Sequence, residues 1–388
     1  MQEISIVGGG LAGLVAAITA AEQGGRVVLY EATPQLGGRA RTGDGPHRPN
    51  LGPHALYHGS FSHWLAEREL CPPLAPPRRS AFRLARGGRI RRLPLALLPM
   101  LRTLKRTAPV DADYRSWAHD QMSARGAEAA IGFASLPTFH ADPGRLSAAF
   151  VQERLQRTFE NPAVGYIRGG WGALVASLAA RARARGVRIE TDAKCTTLPD
   201  GPVIVATDLR AARHLLGDDA IDWPAPRTVL FDLSVSPRRG DAWAVLDLDR
   251  RVYVSDYSAY DPSLAPAGEH LLQCCAGIDD DQGIEDGLAR IHAVLDLAVP
   301  GLRERSRWQR QGLSEGAGAA DPPGTSWRDR PAAARGGDRW LAGDRVAAPG
   351  LLSEVSFASA VEAAPAAVDA AAAGRVVAVP RGVVFGAA

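Results

Sequence analysis

The sequence predicts an α/β protein of two domains, with a strand, turn, helix and strand at its N-terminus. A β-rich run, residues 4–7 (ISIV), leads through a glycine-rich turn into an alanine-rich, helix-favouring stretch, residues 14–23. A second apolar run, residues 26–30 (RVVLY), follows and ends at Glu31. A strand, a turn, a helix and a strand in this order are typical of a parallel sheet with crossover helices. The length of 388 residues, with 46% hydrophobic content, favours two domains over one.

Composition excludes several classes of function. The 45 basic and 42 acidic residues leave a net charge of only +3, so no overall field favours nucleic acid as a partner. Almost all the basic residues are arginines, and the two lysines are Lys105 and Lys194. A mechanism through a lysine Schiff base is therefore disfavoured.

The four cysteines, Cys71, Cys195, Cys274 and Cys275, lack the CxxC spacing of a zinc site, and two of them are adjacent. We therefore expect neither a metal site nor a disulfide framework, and a reducing, cytoplasmic location. The sequence has no signal-peptide pattern and no stretch of about 18 uncharged apolar residues, so we expect neither secretion nor a membrane span.

The glycine turn reads Gly8, Gly9, Gly10, Leu11, Ala12, Gly13, which is the G-x-G-x-x-G pattern in the context that it requires. We assign the tight turn to Gly8, close approach of a pyrophosphate to Gly10, and close helix–strand packing to Gly13. Backbone N–H groups at the helix start, including those of Leu11 and Ala12, would then face the anion. A chance tight turn in a glycine-rich chain is the competing interpretation.

Glu31 lies 18 residues after Gly13, at the end of the second predicted strand. A carboxylate at this place is suited to the diol of a ribose rather than to a 2′-phosphate. The nucleotide is thus expected to carry a free ribose.

The segment that follows Glu31 contains Gly37, Gly38 and Arg39. With the turn before it, this GGR element resembles the FAD-dependent amine oxidase and phytoene desaturase superfamily. The resemblance implies that the cofactor is FAD, and that Gly38 and Arg39 run beside its pyrophosphate with the guanidinium as a charged clamp. An isolated arginine in this position would more often be a solvated loop residue.

Further segments extend the resemblance along the chain. The motif NLGPHALY, residues 50–57, is similar to the segment that leads onto the flavin ring, which implies contacts from Gly52 and Pro53. YIRGGWGALVASLAA, residues 166–180, resembles the start of a helix in the desaturases, and VIVATDLRAARHLL, residues 203–216, resembles their strand and helix. LAPAGEHLL, residues 264–272, favours the carotenoid-desaturase-like branch.

The C-terminal part also resembles this superfamily. WLAGD, residues 340–344, is similar to its last FAD strand, which implies that Gly343 and Asp344 meet the ribityl chain. Residues 349–371 resemble the helix whose N-terminus, here at Leu352 and Ser353, faces the N1 and O2 edge of the flavin. Cys195 completes the set of expected cofactor contacts.

These matches fall in three separate blocks. The resemblance therefore implies a discontinuous FAD-binding domain of the glutathione-reductase type, Rossmann-like in fold, over residues 1–62, 157–218 and 320–388. An α+β substrate domain would occupy residues 63–156 and 219–319. In the first insert we expect helices, and in the second we expect four strand-like runs and a final helix, at residues 228–235, 243–248, 251–255, 271–274 and 283–298.

Three residues after the Gly-Pro pair are candidates for catalysis: His54, Tyr57 and His58. His54 is the best candidate for a general base or a substrate hydrogen bond. Alternatively, a loop histidine of this kind only satisfies a buried backbone group. Aromatic residues in the run that contains Tyr253 and Tyr257 are expected to belong to the core.

Between residues 78 and 106 the chain has ten basic residues and no acidic one. They surround an apolar segment, residues 93–101. This pattern is compatible with peripheral contact with an anionic membrane, with a carrier protein or with a phosphorylated substrate. A solvated face in an arginine-rich protein explains it equally well.

Together these features predict an FAD-dependent oxidoreductase that desaturates a small organic or specialised-metabolite substrate by hydride transfer to flavin N5. The first alternative is an FAD-dependent amine or amino-acid oxidase that releases peroxide. The second is a flavin-dependent isomerase or mutase without net redox change. The substrate, the electron acceptor and the oligomeric state stay open.

Overall fold

The computed structural model describes residues 1–92 and 95–374. Its strands are β1 (Glu3–Val7), β2 (Arg26–Tyr30), β3 (Leu56–Tyr57), β4 (Leu74–Ala75), β5 (Phe82–Arg86), β6 (Arg89–Arg91), β7 (Val164–Ile167), β8 (Arg188–Glu190), β9 (Val203–Val205), β10 (Arg227–Val235), β11 (Ala244–Asp247), β12 (Val252–Asp256), β13 (His270–Ile278), β14 (Ser306–Glu315) and β15 (Arg339–Leu341). Its helices are α1 (Leu11–Glu22), α2 (Ser60–Glu67), α3 (Leu98–Thr103), α4 (Tyr114–Gln121), α5 (Ala124–Thr138), α6 (Ala148–Thr158), α7 (Trp171–Ala184), α8 (Leu209–Leu216), α9 (Ile284–Ala298), α10 (Leu302–Arg305) and α11 (Ser353–Ala373).

A five-stranded parallel sheet in the order β15-β9-β1-β2-β8 forms the first layer. Its central strand β1 is buried without interruption from Ile4 to Val7, as expected for a strand that is covered on both faces. Helix α1 packs against α7 and α11. The fold class predicted from the sequence, α/β with a Rossmann-like domain, is confirmed.

A seven-stranded sheet in the order β14-β10-β13-β12-β11-β5-β6 forms the second layer. Its pairs are antiparallel except for β11 and β5. Helix α9 covers one face of this sheet, and helices of residues 98–158 pack on the other. Strand β13, in the interior of this sheet, is buried on both sides for this reason.

Two parts of this second sheet were missed in the sequence. The hairpin β5–β6 comes from the first insert, where we expected helices, and it joins the strands of the second insert through β11. Its alternation is obscured by four arginines, and only Leu84 and Ala85 are buried. Strand β14 was missed as well, since its inward-facing side chains are polar or only partly buried.

The parallel sheet takes its strands from residues 3–30, 188–205 and 339–341, while the second sheet takes strands from both inserts. The domain boundaries given above stay a prediction, and their last residues, 375–388, lie outside the described part of the chain. All four cysteines are free. Within the described ranges, no helix has both the length and the apolar character needed to cross a bilayer.

Candidate active site

The glycine turn joins β1 to α1 in the conformation expected for each glycine. Gly8 has a φ of +112°, and a Cβ on it would lie 2.5 Å from the Ala206 carbonyl oxygen. A Cβ on Gly13 would lie 1.9 Å from the Gly8 carbonyl oxygen. A Cβ on Gly10, in contrast, would meet no atom within 4 Å. Protein atoms therefore enclose the turn at Gly8 and Gly13, and they leave space beside Gly10.

Glu31 ties the end of β2 to this turn. Its Oε2 accepts the Gly9 N–H at 2.8 Å, and its Oε1 accepts the Thr33 N–H at 2.9 Å and the Thr33 hydroxyl at 2.8 Å. The side chain is buried. The carboxylate thus lies beside the turn, where the ribose contact is predicted.

The distant pair Arg39 and Asp344 meets across the same region. The Arg39 guanidinium donates to Asp344 Oδ1 at 2.8 Å and also to the Gly316 carbonyl, and Asp344 Oδ2 accepts the Gly318 N–H at 2.7 Å. Burial acts to raise the pKa of Asp344, but the charge and hydrogen bond of Arg39 lower it overall. Both side chains are charged, and 305 residues of chain separate them.

These residues fit an extended dinucleotide such as FAD. Gly10 and Gly38 face each other across an open strip, because a Cβ on Gly38 would meet only the Gly10 Cα, at 3.6 Å. A Cβ on Gly343 would have no neighbour closer than 3.9 Å. The helix α1 begins at Gly10 with no side-chain cap, so its first N–H groups remain for an anionic ligand. Larger residues at these three glycines would fill the cradle.

Two further predicted contacts lie at the start of α11. Leu352, which precedes the first helical residue Ser353, has a φ of +52°, a strained conformation for a residue that carries a Cβ. Strain of this kind is found where backbone groups are aimed at a ligand. Cys195 packs against the apolar cluster around β9 and β15, and its predicted cofactor contact remains a prediction.

His54 follows Gly52, whose φ of +110° turns the chain, and the buried Pro53. Its ring lies 5.4 Å from the Trp171 ring, and its carbonyl accepts the Tyr257 hydroxyl at 2.9 Å. The residue keeps some solvent-accessible surface, but its Nδ1 has none and finds no hydrogen-bond partner among the described residues. Burial, and then the Arg39 charge, lower the pKa of His54 to about 4. The imidazole is consequently neutral.

Tyr57 and His58 lie in a different environment, beside Arg157 of α6. The Arg157 guanidinium lies 5.9 Å from the Tyr57 ring, and it donates to the His58 carbonyl at 3.1 Å and to Glu354 at 3.0 Å. Burial raises the pKa of Tyr57. The structure thus groups these two residues with α6 and the start of α11, whereas His54 lies with Trp171 and Tyr257. Their catalytic roles remain predictions.

A buried polar network, which the sequence did not reveal, holds the loop before His54. Gln273 on β13 donates to the Asn50 carbonyl at 2.9 Å, to the Gly52 carbonyl at 3.3 Å and to Asp232 Oδ1 at 2.9 Å. Arg310 on β14 donates to the Asn50 carbonyl at 2.8 Å and to Asp232. Burial raises the pKa of Asp232 despite the Arg310 charge. The second sheet thereby positions the loop that carries His54.

Four tyrosines form the tyrosine cluster, of which Tyr253, Tyr257 and Tyr260 are buried and Tyr166 is partly buried. The cluster contacts His54 through Tyr257. The rings of Tyr166 and Tyr260 stack at 3.7 Å, and the Tyr257 ring meets them edge-on at 5.6 and 6.2 Å. Burial raises the pKa of each hydroxyl, so the cluster is uncharged. The sequence had favoured a core position for Tyr253 and Tyr257, and both are indeed buried.

Comparison with known proteins supports the same fold. Residues 6–67 match the family of NAD(P)-binding Rossmann-like domains. No curated protein matches the chain by sequence.

Solved structures match over nearly the whole chain. An oxidoreductase from Methanosarcina mazei has a TM-score of 0.76 at 17% identity, covering 92% of this chain and 99% of its own. Cyclohexylamine oxidase from Brevibacterium oxydans has a TM-score of 0.72 at 16% identity, covering 95% and 98%. Reduced UDP-galactopyranose mutase has a TM-score of 0.71 at 15% identity, covering 94% and 95%.

Identities this low establish likeness of fold, and the fold is the one that the resemblance implied. The glycine turn and Glu31 lie within the matched Rossmann-like segment, and Arg39 of that segment pairs with the distant Asp344. The chain therefore has a Rossmann-like domain at residues 6–67 and shares its overall fold with these solved structures, an oxidoreductase, an amine oxidase and a mutase among them.

Proposed function

We propose that the protein is an FAD-dependent oxidoreductase that dehydrogenates, and thereby desaturates, a small and mainly apolar organic substrate. When bound, FAD supplies the hydride acceptor for such a reaction. The observation that carries the proposal is the neutral His54 beside the uncharged tyrosine cluster. A site of this kind suits a substrate that gives up hydrogen from carbon and needs little charge stabilisation.

The residues around His54 support distinct parts of this chemistry. The stacked Tyr166 and Tyr260 offer flat apolar surface against which a substrate can be oriented and water excluded. The neutral imidazole of His54, which keeps some accessible surface, can accept a hydrogen bond or a proton from the substrate. Because Tyr257 holds the His54 carbonyl, the loop keeps its place when a substrate enters.

Amine oxidation is the second candidate, and the likeness in fold to cyclohexylamine oxidase favours it. The amine oxidases of the superfamily often use a lysine at the flavin. Here Lys105 and Lys194, the two lysines of the chain, are both exposed on the surface. Desaturation is therefore preferred over amine oxidation.

Anaerobic reduction of the bound flavin tests the proposal. Purified protein should be yellow. Its flavin absorbance, at roughly 450 nm, should be lost when an alkyl or alicyclic substrate that can be desaturated is added without oxygen. His54→Gln should lower the rate constant of bleaching about 100-fold, the usual size of a general-base contribution. His63→Gln, a change at an exposed histidine on α2, is the matched control and should behave as the unchanged protein.

Other outcomes separate the alternatives. Bleaching by primary amines alone, with peroxide formed in air, would replace desaturation by amine oxidation. Turnover that requires previously reduced flavin and yields no net electron transfer would indicate an isomerase or mutase. Protein without extractable FAD would overturn the proposal as a whole.

A further inference from the structure

A basic surface is formed by residues that follow the glycine turn by about 70 positions or more in the sequence. No step of the proposed reaction uses it. It is formed by the β5–β6 hairpin, residues 95–106 and the start of α5. Seven exposed cationic side chains lie on it: Arg89, Arg91, Arg92, Arg102, Lys105, Arg106 and Arg125. We call this surface, together with Leu95 and Leu98, the basic face.

Contacts between its elements make the basic face continuous. The Arg86 guanidinium on the hairpin donates to the Arg125 carbonyl at 3.2 Å, which joins β5 to α5. A shallow groove of about 280 Å³ joins α5 to the segment before α3, with Leu95, Pro99 and Arg125 among its walls. Arg106 bonds to the Gln121 side chain at the end of α4.

The charges of the basic face are not compensated within the protein. Elsewhere on the surface, arginines such as Arg26 and Arg188 are paired with carboxylates. None of the seven cations has a carboxylate within 4 Å in residues 1–92 and 95–374. The acidic residue nearest the hairpin, Asp249, binds the Gly87 N–H and lies 3.7 Å from Arg86. An ordinary solvated surface has carboxylates interspersed among its cations, whereas the seven cations of the basic face lack such neighbours in the described part of the chain.

Two exposed leucines belong to the basic face. Leu95 is 79% exposed and Leu98 is 39% exposed, whereas their neighbours Leu97 and Met100 are buried. Large apolar side chains with this exposure, surrounded by arginines, match the two requirements of an interfacial membrane contact. The cations attract anionic headgroups, and the leucines insert between them.

We propose that the basic face docks the protein on an anionic lipid bilayer, with Leu95 and Leu98 in the headgroup region and the seven cations around them. The bilayer is preferred over an acidic protein because the apolar contribution is a pair of projecting leucines rather than a formed pocket for a partner side chain. This inference does not depend on the proposed reaction, since no residue of the basic face contacts His54 or the glycine turn.

Co-sedimentation with vesicles tests the proposal. The full-length protein should bind vesicles that contain about 30% phosphatidylserine and should not bind vesicles of phosphatidylcholine alone. Binding should be lost at about 0.5 M salt, where the screening length falls to a few ångströms. The double variant R91E/R92E should reduce the partition coefficient at least about 30-fold, since each cation contributes about fivefold.

Matched variants distinguish docking from general effects. R238E/R239E changes the charge by the same amount at two exposed arginines on another loop, and it should bind vesicles as the unchanged protein does. Leu95→Ser should weaken binding, whereas Leu313→Ser, at a leucine 38% exposed on β14, should not. Circular dichroism and thermal unfolding check that each variant is folded.

Three results would overturn the proposal. They are absence of binding to the anionic vesicles, equal binding to phosphatidylcholine vesicles, and equal loss of binding in the two double variants. Binding to polyglutamate without binding to vesicles would assign the basic face to an acidic protein partner instead.

Discussion

The fold keeps His54 neutral throughout the physiological pH range. The environment responsible is local: the ring lies beside Trp171, its Nδ1 has no contact with solvent, and the Arg39 charge disfavours a second positive charge nearby. A neutral imidazole can accept a proton or a hydrogen bond, but a protonated one cannot. The lowered pKa therefore matters for function and for stability alike.

The pH dependence of stability follows from this shift. The pKa of His54 is about 4 in the folded protein against 6.5 ordinarily, so the unfolded chain binds the proton more readily. The contribution of His54 is fully present above pH 6.5 and is lost as the pH falls toward 4. Urea unfolding at several pH values should thus show a smaller decline in the free energy of unfolding for His54→Gln than for the unchanged protein.

The control for this measurement is His63→Gln, at an exposed histidine. It should follow the unchanged protein over the same pH range. If His54→Gln and His63→Gln decline in parallel between pH 6.5 and 4, His54 does not have a lowered pKa.

At the scale of elements, the β1–α1 turn contains two glycines, of which one is required by the packing of the protein and the other is not. Gly13 is needed by the protein itself, because its Cα packs against the Gly8 carbonyl. Gly10 has an ordinary φ of −74° and free space where a Cβ would be, so the fold alone does not require a glycine there. The requirement at Gly10 must come from a ligand.

A pair of alanine substitutions separates these requirements. Gly13→Ala should lower the free energy of unfolding by at least about 2 kcal/mol, because the backbone clash outweighs the gain in helix propensity. Gly10→Ala should raise that free energy by roughly 0.5 kcal/mol, since alanine restricts the unfolded chain. The same Gly10→Ala change should weaken FAD binding about tenfold or more, as its methyl group occupies the open strip beside Gly38.

Thermal unfolding and titration of the apoprotein with FAD measure the two effects independently. Unchanged FAD affinity in Gly10→Ala would mean that the pyrophosphate does not pass this glycine. A stable Gly13→Ala protein would mean that the turn can relax away from Gly8.

At the scale of the whole molecule, the polar network joins the second sheet to the loop that carries His54. Asp232 is central to it, since it accepts bonds from Gln273 on β13 and from Arg310 on β14. Both donors also hold the Asn50 carbonyl. The network therefore fixes the position of the two layers at the candidate active site.

Removal of the charge of Asp232 should disturb both layers. Asp232→Asn should lower the free energy of unfolding by about 2 kcal/mol, the usual contribution of hydrogen bonds to a charged group, because Arg310 loses its carboxylate. The loop would also be held less firmly, so flavin reduction should slow. Asp219→Asn removes the fully exposed carboxylate that pairs with the partly exposed Arg213, and it should change neither quantity, because solvent screens that pair.

Denaturant unfolding and the anaerobic bleaching assay give the two readouts. A loss of stability in Asp232→Asn with an unchanged bleaching rate would assign the network to folding alone.

Local sequence determined the nucleotide-binding end of the protein. The glycine turn, the second strand and Glu31 lie within 31 residues, and their conformations depend on backbone sterics and short-range packing, which residue types encode directly. Strands β10 to β12 were likewise predicted close to their observed positions from their apolar patterns, whereas α7, α8, α11 and β9 were located through the resemblance. The resemblance to a flavoprotein superfamily extended these local features to the correct fold.

Only the tertiary structure decided which distant residues meet. Arg39 pairs with Asp344, Asn50 with Gln273, and His54 with Tyr257, across separations of 203 to 305 residues. The hairpin β5–β6 joins strands from the other insert although its own sequence is rich in arginine. Single residue types cannot specify such pairs, because the path of the chain between them brings them together. The neutral state of His54 has the same origin, since burial and the Arg39 charge exist only once the chain has folded.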